Sequence, residues 1–412
     1  MKYGLIGAKL GHSFSREIHA KIADYPYELA EMDEAALDAF FRAKDFCGVN
    51  VTIPYKQTVM RYLDETDEAA ARIGAVNTVV NRDGRLYGYN TDYSGAAAML
   101  RHAGLELAGK RVLILGSGGT SKTMCAVARD LGAAEVLTVS RRGGEGTVSY
   151  DEAVTRYRDA RIIINTTPVG MFPNSDACPI DIDAFDRLEG VADAVYNPLS
   201  TVLVRRARAR GLLACGGLYM LAAQAVYASA LFLGTPVKDG VADEVYRAVR
   251  REKQNMVLVG MPSSGKSSVG AQLAQKAGRP FADSDEEIIR RSGKTIPEIF
   301  AERGEAGFRA LERQVISDLS KQQGMVLATG GGAILNPDNV FDLKANGRLF
   351  FLDRPPEKLL STPDRPLSAN RQALEKLYRE RKDKYTAAAD IRIPGEGTVT
   401  EVADLVWEAF CL

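Results

Sequence analysis

The stretch Gly260-Met261-Pro262-Ser263-Ser264-Gly265-Lys266-Ser267 decides the fold of the second half of this chain. It follows an apolar run, Met256-Val257-Leu258-Val259, that predicts a buried strand, and an amphipathic helix comes after it. A G-x-x-x-x-G-K-[ST] loop in that setting turns its backbone N–H groups toward phosphate oxygens. Lys266 is expected to reach the β- and γ-phosphates and Ser267 to ligate Mg²⁺. The sequence therefore predicts an ATP site with contacts from Gly260, Ser263, Ser264, Gly265, Lys266, Ser267 and Ser268.

Composition limits the classes of function. The 412 residues suggest two or three domains, and Lys plus Arg equals Asp plus Glu at 53 each. This balance gives no global field for nucleic acid or an anionic membrane, so neither is expected as a partner. The 5 cysteines are scattered singly without a CxxC pair, which fits a reducing cytosol and argues against structural zinc. We expect a cytoplasmic protein with small-molecule substrates, and a homo-oligomer is left open.

One segment imitates a membrane span. Residues 211–237 carry no charge and follow a cluster of arginines between positions 205 and 210. Gly216-Gly217, Gln224 and many alanines weaken that interpretation, so a buried helix is predicted instead.

Strands alternate with helices along the chain, which predicts an α/β fold with parallel sheets. The first predicted series of strands is Lys2–Ile6, Tyr27–Met32, Val49–Ile53, Val76–Val80 and Leu86–Tyr89. The second is Arg111–Leu115, Glu135–Val139, Arg161–Asn165, Ala192–Tyr196 and Leu212–Cys215. A charged joint at residues 250–254 then leads into the strand before the phosphate loop.

A second glycine-rich loop follows the predicted strand Arg111–Leu115. Glycines at its first and third positions allow a tight turn and a close approach of a pyrophosphate to the backbone. The next strand ends in arginines, which suit the 2′-phosphate of NADP better than the ribose hydroxyl of NAD; the alternative is a pair of solvated arginines. The predicted dinucleotide contacts are Gly116, Ser117, Gly118, Gly119, Thr120, Ser121, Ser140, Arg141 and Arg142.

Hydride transfer at a secondary alcohol also needs a group that exchanges the hydroxyl proton. Lys56 and Asp92 each follow a predicted strand, where an α/β cleft would collect them. A lysine beside a carboxylate can donate and accept that proton. The alternative is that both are ordinary surface residues.

Motifs through about residues 1–250 resemble those of shikimate dehydrogenases. In the order of that family, they are His12-Ser13-Phe14-Ser15, Asn50-Val51-Thr52-Ile53-Pro54-Tyr55-Lys56, Gly74-Ala75-Val76-Asn77-Thr78, Asn90-Thr91-Asp92, Asn165-Thr166-Thr167-Pro168 and Gly217-Leu218-Tyr219-Met220-Leu221-Ala222-Ala223-Gln224. The resemblance implies that Lys56 and Asp92 are the catalytic pair and that Arg141 contacts NADP. It implies that shikimate is bound by Ser13, Ser15, Thr52, Asn77, Asp92 and Gln224. Tyr219 and Gln224 would both point from the uncharged helix into the cleft.

The second half carries two further polar segments. Asp283-Ser284-Asp285 follows a predicted strand, Pro280–Ala282. One of its carboxylates can hold Mg²⁺, and the other can accept a hydrogen bond from an attacking hydroxyl. The alternative is an acidic helix N-terminus. Thr329-Gly330-Gly331-Gly332 follows another predicted strand, Met325–Ala328, and would let a substrate lie against bare backbone N–H groups, unless it is a plain turn.

The phosphate loop and these two segments, together with Arg309, Arg365 and Arg381, resemble the motifs of shikimate kinases over about residues 255–412. The resemblance implies that shikimate is held by Asp285, Arg309, Gly331, Gly332 and Arg381, with both arginines on its carboxylate. Lys266 and Arg365 would stabilise the transferring phosphoryl group as catalytic residues beside Asp285. Ser267 and Asp283 would hold Mg²⁺.

The predicted architecture is an α/β substrate domain (1–92 and 217–250), a Rossmann NADP domain (93–216), a linker (251–254) and a P-loop kinase domain (255–412) with a parallel sheet covered by helices. The predicted function is NADPH-dependent reduction of 3-dehydroshikimate to shikimate, followed by phosphorylation of shikimate with MgATP. Two alternatives stay open: the first half also oxidises quinate with NAD, or one half is a silent sensing module.

Overall fold

The computed structural model describes residues 1–11, 13–144, 146–359 and 371–412. Its contacts divide the chain into two compact units, Met1–Val249 and Arg250–Leu412. Within the described residues, the first unit contains two six-stranded sheets and the second unit one five-stranded sheet. Helices cover these sheets, so the predicted α/β fold class is confirmed.

The first sheet of the first unit is mixed. Its strands, in the spatial order β2-β1-β3-β5-β6-β4, are β1 (Tyr3–Gly7), β2 (Tyr27–Glu31), β3 (Gly48–Val51), β4 (Glu65–Thr66), β5 (Thr78–Arg82) and β6 (Arg85–Tyr89). β5 runs antiparallel to β3 and β6, so the expectation of parallel sheets throughout is wrong here. A two-residue hairpin reverses the chain between β5 and β6, and its Asp83 and Gly84 adopt φ angles of 53° and 84°. The accompanying helices are α1 (Ser15–Ile22), α2 (Glu34–Ala43) and α3 (Glu68–Ile73).

The second sheet is entirely parallel. Its strands, in the order β12-β11-β10-β7-β8-β9, are β7 (Arg111–Leu115), β8 (Glu135–Ser140), β9 (Thr147–Ser149), β10 (Ile162–Asn165), β11 (Gly190–Asp193) and β12 (Leu213–Cys215). This is a doubly wound order, with its switch point between β7 and β10. The crevice at the carboxyl ends of those strands is where such sheets bind ligands. The helices of this region are α4 (Thr91–His102), α5 (Gly119–Asp130), α6 (Tyr150–Arg156) and α7 (Val202–Ala209).

The uncharged segment forms α8 (Leu218–Leu233), a largely buried helix. It packs closely on α4, because a Cβ at Gly95 would lie 2.7 Å from the carbonyl oxygen of Met220. Among the described helices, none combines the length and apolar character that crossing a membrane requires.

The segment predicted as a linker, residues 251–254, is mostly helical. α9 (Val241–Lys253) includes residues 251–253, and only Gln254 separates it from the next strand. The segment contains no glycine or proline, and its arginine, glutamate and lysine are good helix formers.

The second unit has a parallel sheet in the order β14-β15-β13-β16-β17. The strands are β13 (Asn255–Val259), β14 (Phe281–Asp283), β15 (Val326–Ala328), β16 (Gly347–Asp353) and β17 (Ile391–Pro394). The helices are α10 (Lys266–Ala277), α11 (Ser284–Ser292), α12 (Ile296–Ser320), α13 (Pro337–Asn346), α14 (Arg371–Ala388) and α15 (Val399–Cys411). The carboxyl ends of β13, β14 and β15 meet at one edge, which brings the phosphate loop, the acidic segment and the three glycines together.

Candidate active sites

A cavity of about 380 Å³ in the first unit collects most of the predicted substrate residues. They come from loops and helix starts next to the first sheet and from α8. Its lining includes Ser13, Ser15, Thr52, Lys56, Asn77, Asp92 and Gln224, and also Thr120 from the start of α5. Thr120 belongs to the glycine-rich loop, so the predicted dinucleotide site and the predicted substrate site adjoin.

Lys56 and Asp92 form an ion pair in this cavity, with Lys56 Nζ 2.5 Å from Asp92 Oδ2. Both side chains are largely buried, with exposed fractions of 24% and 16%. Asn90 caps α4 through its side chain, which accepts a hydrogen bond from the backbone N–H of Tyr93 and so fixes the turn that carries Asp92. The backbone N–H of Val76 donates to the carbonyl oxygen of Lys56 and holds the other partner. The pair is therefore placed to exchange a proton with a bound hydroxyl or carbonyl group.

The remaining polar groups of the cavity are hydroxyls and amides. Ser13 Oγ donates to Ser15 Oγ at 3.0 Å, at the start of α1. Gln224 Nε2 donates to the carbonyl oxygen of Leu221 at 3.0 Å. Such groups suit a polyhydroxylated substrate, because each can donate to or accept from a hydroxyl.

Tyr219 does not line this cavity, and its predicted direction is corrected. Its ring stacks on His102 with centroids 3.9 Å apart, and its hydroxyl donates to Asp243 Oδ1 at 3.2 Å. Burial, with a smaller contribution from Asp243, raises the pKa of Tyr219 to about 12. Residues five apart on a helix lie about 140° apart around its axis, so Tyr219 and Gln224 cannot share a face.

The glycine-rich loop after β7 fits a dinucleotide phosphate. Gly116 has a φ of 108°, and a Cβ there would lie 2.9 Å from Thr166 Oγ1, so the turn requires glycine. A Cβ at Gly118 or Gly119 would meet no atom within 4 Å among the described residues. Open space therefore lies over the N-terminus of α5, where backbone N–H groups attract an anion. Ser117 is exposed, whereas Ser121 is buried in the first turn.

Three of the residues predicted to contact the dinucleotide stand at the end of β8, beside β7. Ser140 Oγ lies 3.3 Å from Thr147 Oγ1 of β9. Arg141 and Arg142 are both exposed immediately after the strand. Two guanidinium groups at this edge can bind the 2′-phosphate of a dinucleotide whose pyrophosphate lies at the glycine-rich loop after β7.

The phosphate loop of the second unit has the backbone that its sequence predicts. Gly260 and Gly265 have φ angles of 154° and 91°, and Ser263 also has a positive φ of 62°. Lys266 begins α10 and is buried, with its Nζ donating to the carbonyl oxygens of Gly260 at 3.0 Å and Met261 at 2.8 Å. Ser264 Oγ is buried without a hydrogen-bond partner among the described residues. A buried hydroxyl of this kind fits a phosphate oxygen as its partner.

The predicted Mg²⁺ residues touch each other. Ser267 Oγ donates to Asp283 Oδ2 at 2.6 Å, at the start of α10. The second carboxylate oxygen of Asp283 caps α11 by accepting from the backbone N–H of Asp285 at 2.8 Å. A hydroxyl and a carboxylate at this spacing fit the oxygen ligands that Mg²⁺ prefers. Ser268, also predicted to contact the nucleotide, is exposed on α10.

The three glycines after β15 are surrounded by the predicted shikimate residues. A Cβ at Gly330 would lie 2.5 Å from Asp285 Oδ1 and 3.0 Å from Glu312 Oε1, and a Cβ at Gly332 would clash with the guanidinium of Arg309. Arg381 Nη1 donates to the carbonyl oxygen of Gly331 at 3.1 Å. A side chain at Gly330 or Gly332 would therefore displace the carboxylates or the guanidinium that lie against these positions.

Arg309 and Arg381 meet around a buried carboxylate that the sequence analysis missed. Arg309 Nη1 donates to Glu312 Oε2 at 2.8 Å, and Glu312 is only 1% exposed. Burial raises the pKa of the Glu312 carboxyl, against the opposing effect of Arg309 and Arg381. The signal was available, since position 312 is one turn beyond Arg309 on the same helix face. Arg365, predicted as catalytic, lies outside the described residues.

Known proteins resemble both units of the chain. Residues 5–79 match the family model of the shikimate dehydrogenase substrate binding domain, and residues 262–410 match that of shikimate kinase. The shikimate dehydrogenase (NADP(+)) of Clostridium perfringens (strain 13 / Type A) is 34% identical over 272 residues, with 60% of this chain and 98% of the relative covered. The chain belongs to the shikimate dehydrogenase family. Behind the dehydrogenase half it carries a shikimate kinase domain, so one polypeptide combines an oxidoreductase with a phosphotransferase of the shikimate pathway.

Solved structures agree with the dehydrogenase assignment. A chorismate mutase/shikimate 5-dehydrogenase fusion protein from Clostridium acetobutylicum is 34% identical with a TM-score of 0.57, covering 60% of this chain and 96% of that one. The shikimate 5-dehydrogenase of Thermus thermophilus, solved in complex with NADP(H) and shikimate, is 32% identical with a TM-score of 0.54, covering 60% and 99%. The first of these relatives is itself fused to another enzyme.

The dehydrogenase cavity contains two residues that the sequence analysis left without a role. Tyr196 follows β11 and lines the cavity, as does Asn50 of β3. The position of Tyr196 after a strand of the doubly wound sheet was a usable signal, because ligands bind at the carboxyl ends of such strands. Asn50 lay inside a quoted motif, but a strand residue gives no sequence signal for facing a cavity.

Proposed function

We propose that the chain catalyses two consecutive reactions, the reduction of 3-dehydroshikimate to shikimate with NADPH and the phosphorylation of shikimate at its 3-hydroxyl with MgATP. The hydroxyl that the first reaction forms is the nucleophile of the second. This relation explains why two unrelated folds share one polypeptide.

One observation carries the first reaction: the Lys56–Asp92 ion pair lies in a cavity that Thr120 of the glycine-rich loop also lines. Bound NADPH supplies the hydride. Lys56 would give its proton to the carbonyl oxygen of the substrate, while Asp92 holds the ammonium group and the substrate hydroxyl in position. Ser13, Ser15 and Gln224 would bind the other oxygens of the ring.

The second reaction is supported by the contacts around Gly330. Bound MgATP supplies the phosphoryl group. Asp285 would accept the hydrogen of the attacking hydroxyl, and Lys266 would stabilise the charge that develops on the phosphoryl oxygens. Arg309 and Arg381 would bind the carboxylate of shikimate as bidentate partners. Ser267 and Asp283 would hold Mg²⁺. Arg365 would stabilise the transferring phosphoryl group, a role that rests on the sequence alone.

The choice of cofactor is tested at Arg141. Replacing it with alanine is expected to raise KM for NADPH about 10- to 100-fold, because a charged hydrogen bond to the 2′-phosphate contributes about 1.5–3 kcal/mol. KM for NADH, which lacks that phosphate, is expected to stay within about twofold. Steady-state reduction with each cofactor measures both values. Arg156→Ala, an exposed arginine on α6 of the same sheet region, is the matched control and should change neither.

The function itself is tested with purified full-length chain, 3-dehydroshikimate, NADPH and MgATP, by recording NADPH absorbance and ADP release together. We expect NADPH loss to precede ADP release, and ADP release to require both NADPH and 3-dehydroshikimate. NADPH loss without ADP would reject the second reaction. If NADPH is not consumed, the proposed first reaction is wrong, and quinate with NAD is the substrate pair to try.

A further inference from the structure

A buried chain of hydrogen bonds runs beneath the floor of the dehydrogenase cavity. The hydroxyl of Tyr27 donates to Asn50 Oδ1 at 2.7 Å, and Asn50 Nδ2 donates to Thr78 Oγ1 at 2.9 Å. The Thr78 hydroxyl in turn donates to Asn77 Oδ1 at 3.2 Å and lies 2.9 Å from Thr91 Oγ1. All five residues are buried, with exposed fractions of 6% or less. The chain ends at Asn77, one of the amides that line the cavity.

The backbone N–H of Thr91, which can only donate a hydrogen bond, fixes the orientation of the Asn77 amide. The backbone N–H of Thr91 lies 2.7 Å from Asn77 Oδ1, and an N–H can only donate. Asn77 Oδ1 therefore faces inward, where Thr91 Oγ1 also donates to it at 3.2 Å. The polar atom that remains for the cavity is Nδ2, which requires an acceptor oxygen on the bound molecule.

Tyr27 contributes the first hydrogen bond of this chain. Its phenol donates to Asn50 Oδ1, which leaves Asn50 Nδ2 to donate to Thr78 Oγ1 and, at 3.3 Å, to the carbonyl oxygen of Asn77. A reversed Asn50 amide would bring its own oxygen against that carbonyl oxygen. Burial raises the pKa of Tyr27 well above its usual value, so the phenol keeps its proton. His19 stacks on the Tyr27 ring with centroids 3.8 Å apart and restrains it.

We infer that Tyr27, which does not line the cavity, is a positioning residue that acts through Asn50 to hold Asn77 for an oxygen of the substrate. The inference rests on the proposed function, in which Asn77 binds shikimate. Removal of the phenol oxygen takes away the donor that Asn50 Oδ1 accepts from at 2.7 Å, so the Asn50 side chain is held less firmly. Asn77 then loses part of its restraint, and the effect is expected on substrate binding rather than on the proton transfer at Lys56.

The test is Tyr27→Phe in the full chain, assayed as shikimate oxidation with NADP⁺. We expect KM for shikimate to rise about tenfold, with kcat and KM for NADP⁺ each within about twofold, since the lost contact serves the ground state and the transition state alike. Tyr25→Phe is the matched control. The Tyr25 hydroxyl forms a hydrogen bond with His19 Nδ1 at 2.6 Å in the same cluster, but it does not belong to the hydrogen-bond chain from Tyr27 to Asn77. It should lower the melting temperature without changing KM.

Each outcome decides the inference. An unchanged KM in Tyr27→Phe, or an equal rise in Tyr25→Phe, would overturn it. If Tyr27→Phe does not fold, Thr78→Val and Thr78→Ser replace it: the serine variant keeps the hydroxyl and should keep KM, whereas the valine variant should raise it, and equal KM values would reject the chain. If the parent protein oxidises shikimate and Tyr27→Phe has the same KM for shikimate, only this inference is contradicted. A parent that does not oxidise shikimate contradicts the proposed function as well.

Discussion

Replacing Lys56 with alanine is expected to lower kcat for the reduction of 3-dehydroshikimate about 10²- to 10⁴-fold, because that is the contribution of a positioned proton donor. Lys56 Nζ lies 2.5 Å from Asp92 Oδ2 in the cavity, and alanine leaves no ionisable group at that position to deliver a proton. KM for NADPH should stay within about twofold, since the glycine-rich loop that would hold it is on another element. Initial rates at saturating NADPH measure the loss.

The same chain provides the control for this experiment. Its kinase rate with added shikimate should equal that of the parent protein, which shows that the second unit is intact. Lys238→Ala removes an exposed lysine from the first unit and should leave the reductase rate unchanged. NADPH binding, followed by its fluorescence, reports whether the first unit of Lys56→Ala is folded. A folded Lys56→Ala protein with full reductase activity would contradict the proposed role of the lysine.

Much of the candidate site was predictable because its residues follow strands. The phosphate loop, Asp283, Gly330 and Lys56 all stand just beyond an apolar run, and parallel strands bring their carboxyl ends to one edge. The family resemblance added the substrate residues, and the structure gathers Ser13, Thr52, Asn77, Asp92 and Gln224 in one cavity.

The features that the sequence analysis missed are the directions of side chains and strands and the burial of polar side chains. Tyr219 was expected beside Gln224, although helix geometry alone places them on different faces. The antiparallel β5 was missed because the Asp83-Gly84 turn, a strong hairpin signal, was not used. Tyr27 shows the real limit: it is a buried polar residue whose partner, Asn50, lies 23 positions away and is recognised only in the folded structure.

Replacing Asp285 with asparagine is expected to lower the kinase kcat about 10²- to 10⁴-fold, because the amide cannot accept the hydrogen of the attacking hydroxyl as a carboxylate does. Asp285 lies at the start of α11 against Gly330, so the substitution keeps the shape of the site while removing its charge. KM for ATP should stay within about twofold, since the phosphate loop that would bind it is unchanged. ADP release with saturating shikimate measures the effect.

Glu286→Gln is the matched control for Asp285→Asn. Glu286 is the next residue of the same helix turn, and its side chain is exposed. Its substitution removes one negative charge from the N-terminus of α11, just as Asp285→Asn does, so any effect of the helix dipole is shared by the two variants. The kinase rate of Glu286→Gln should match the parent, and the dehydrogenase rate of both variants should be unchanged. Equal losses in the two variants would assign the effect to the charge of the helix turn and contradict a direct role for Asp285 at the attacking hydroxyl.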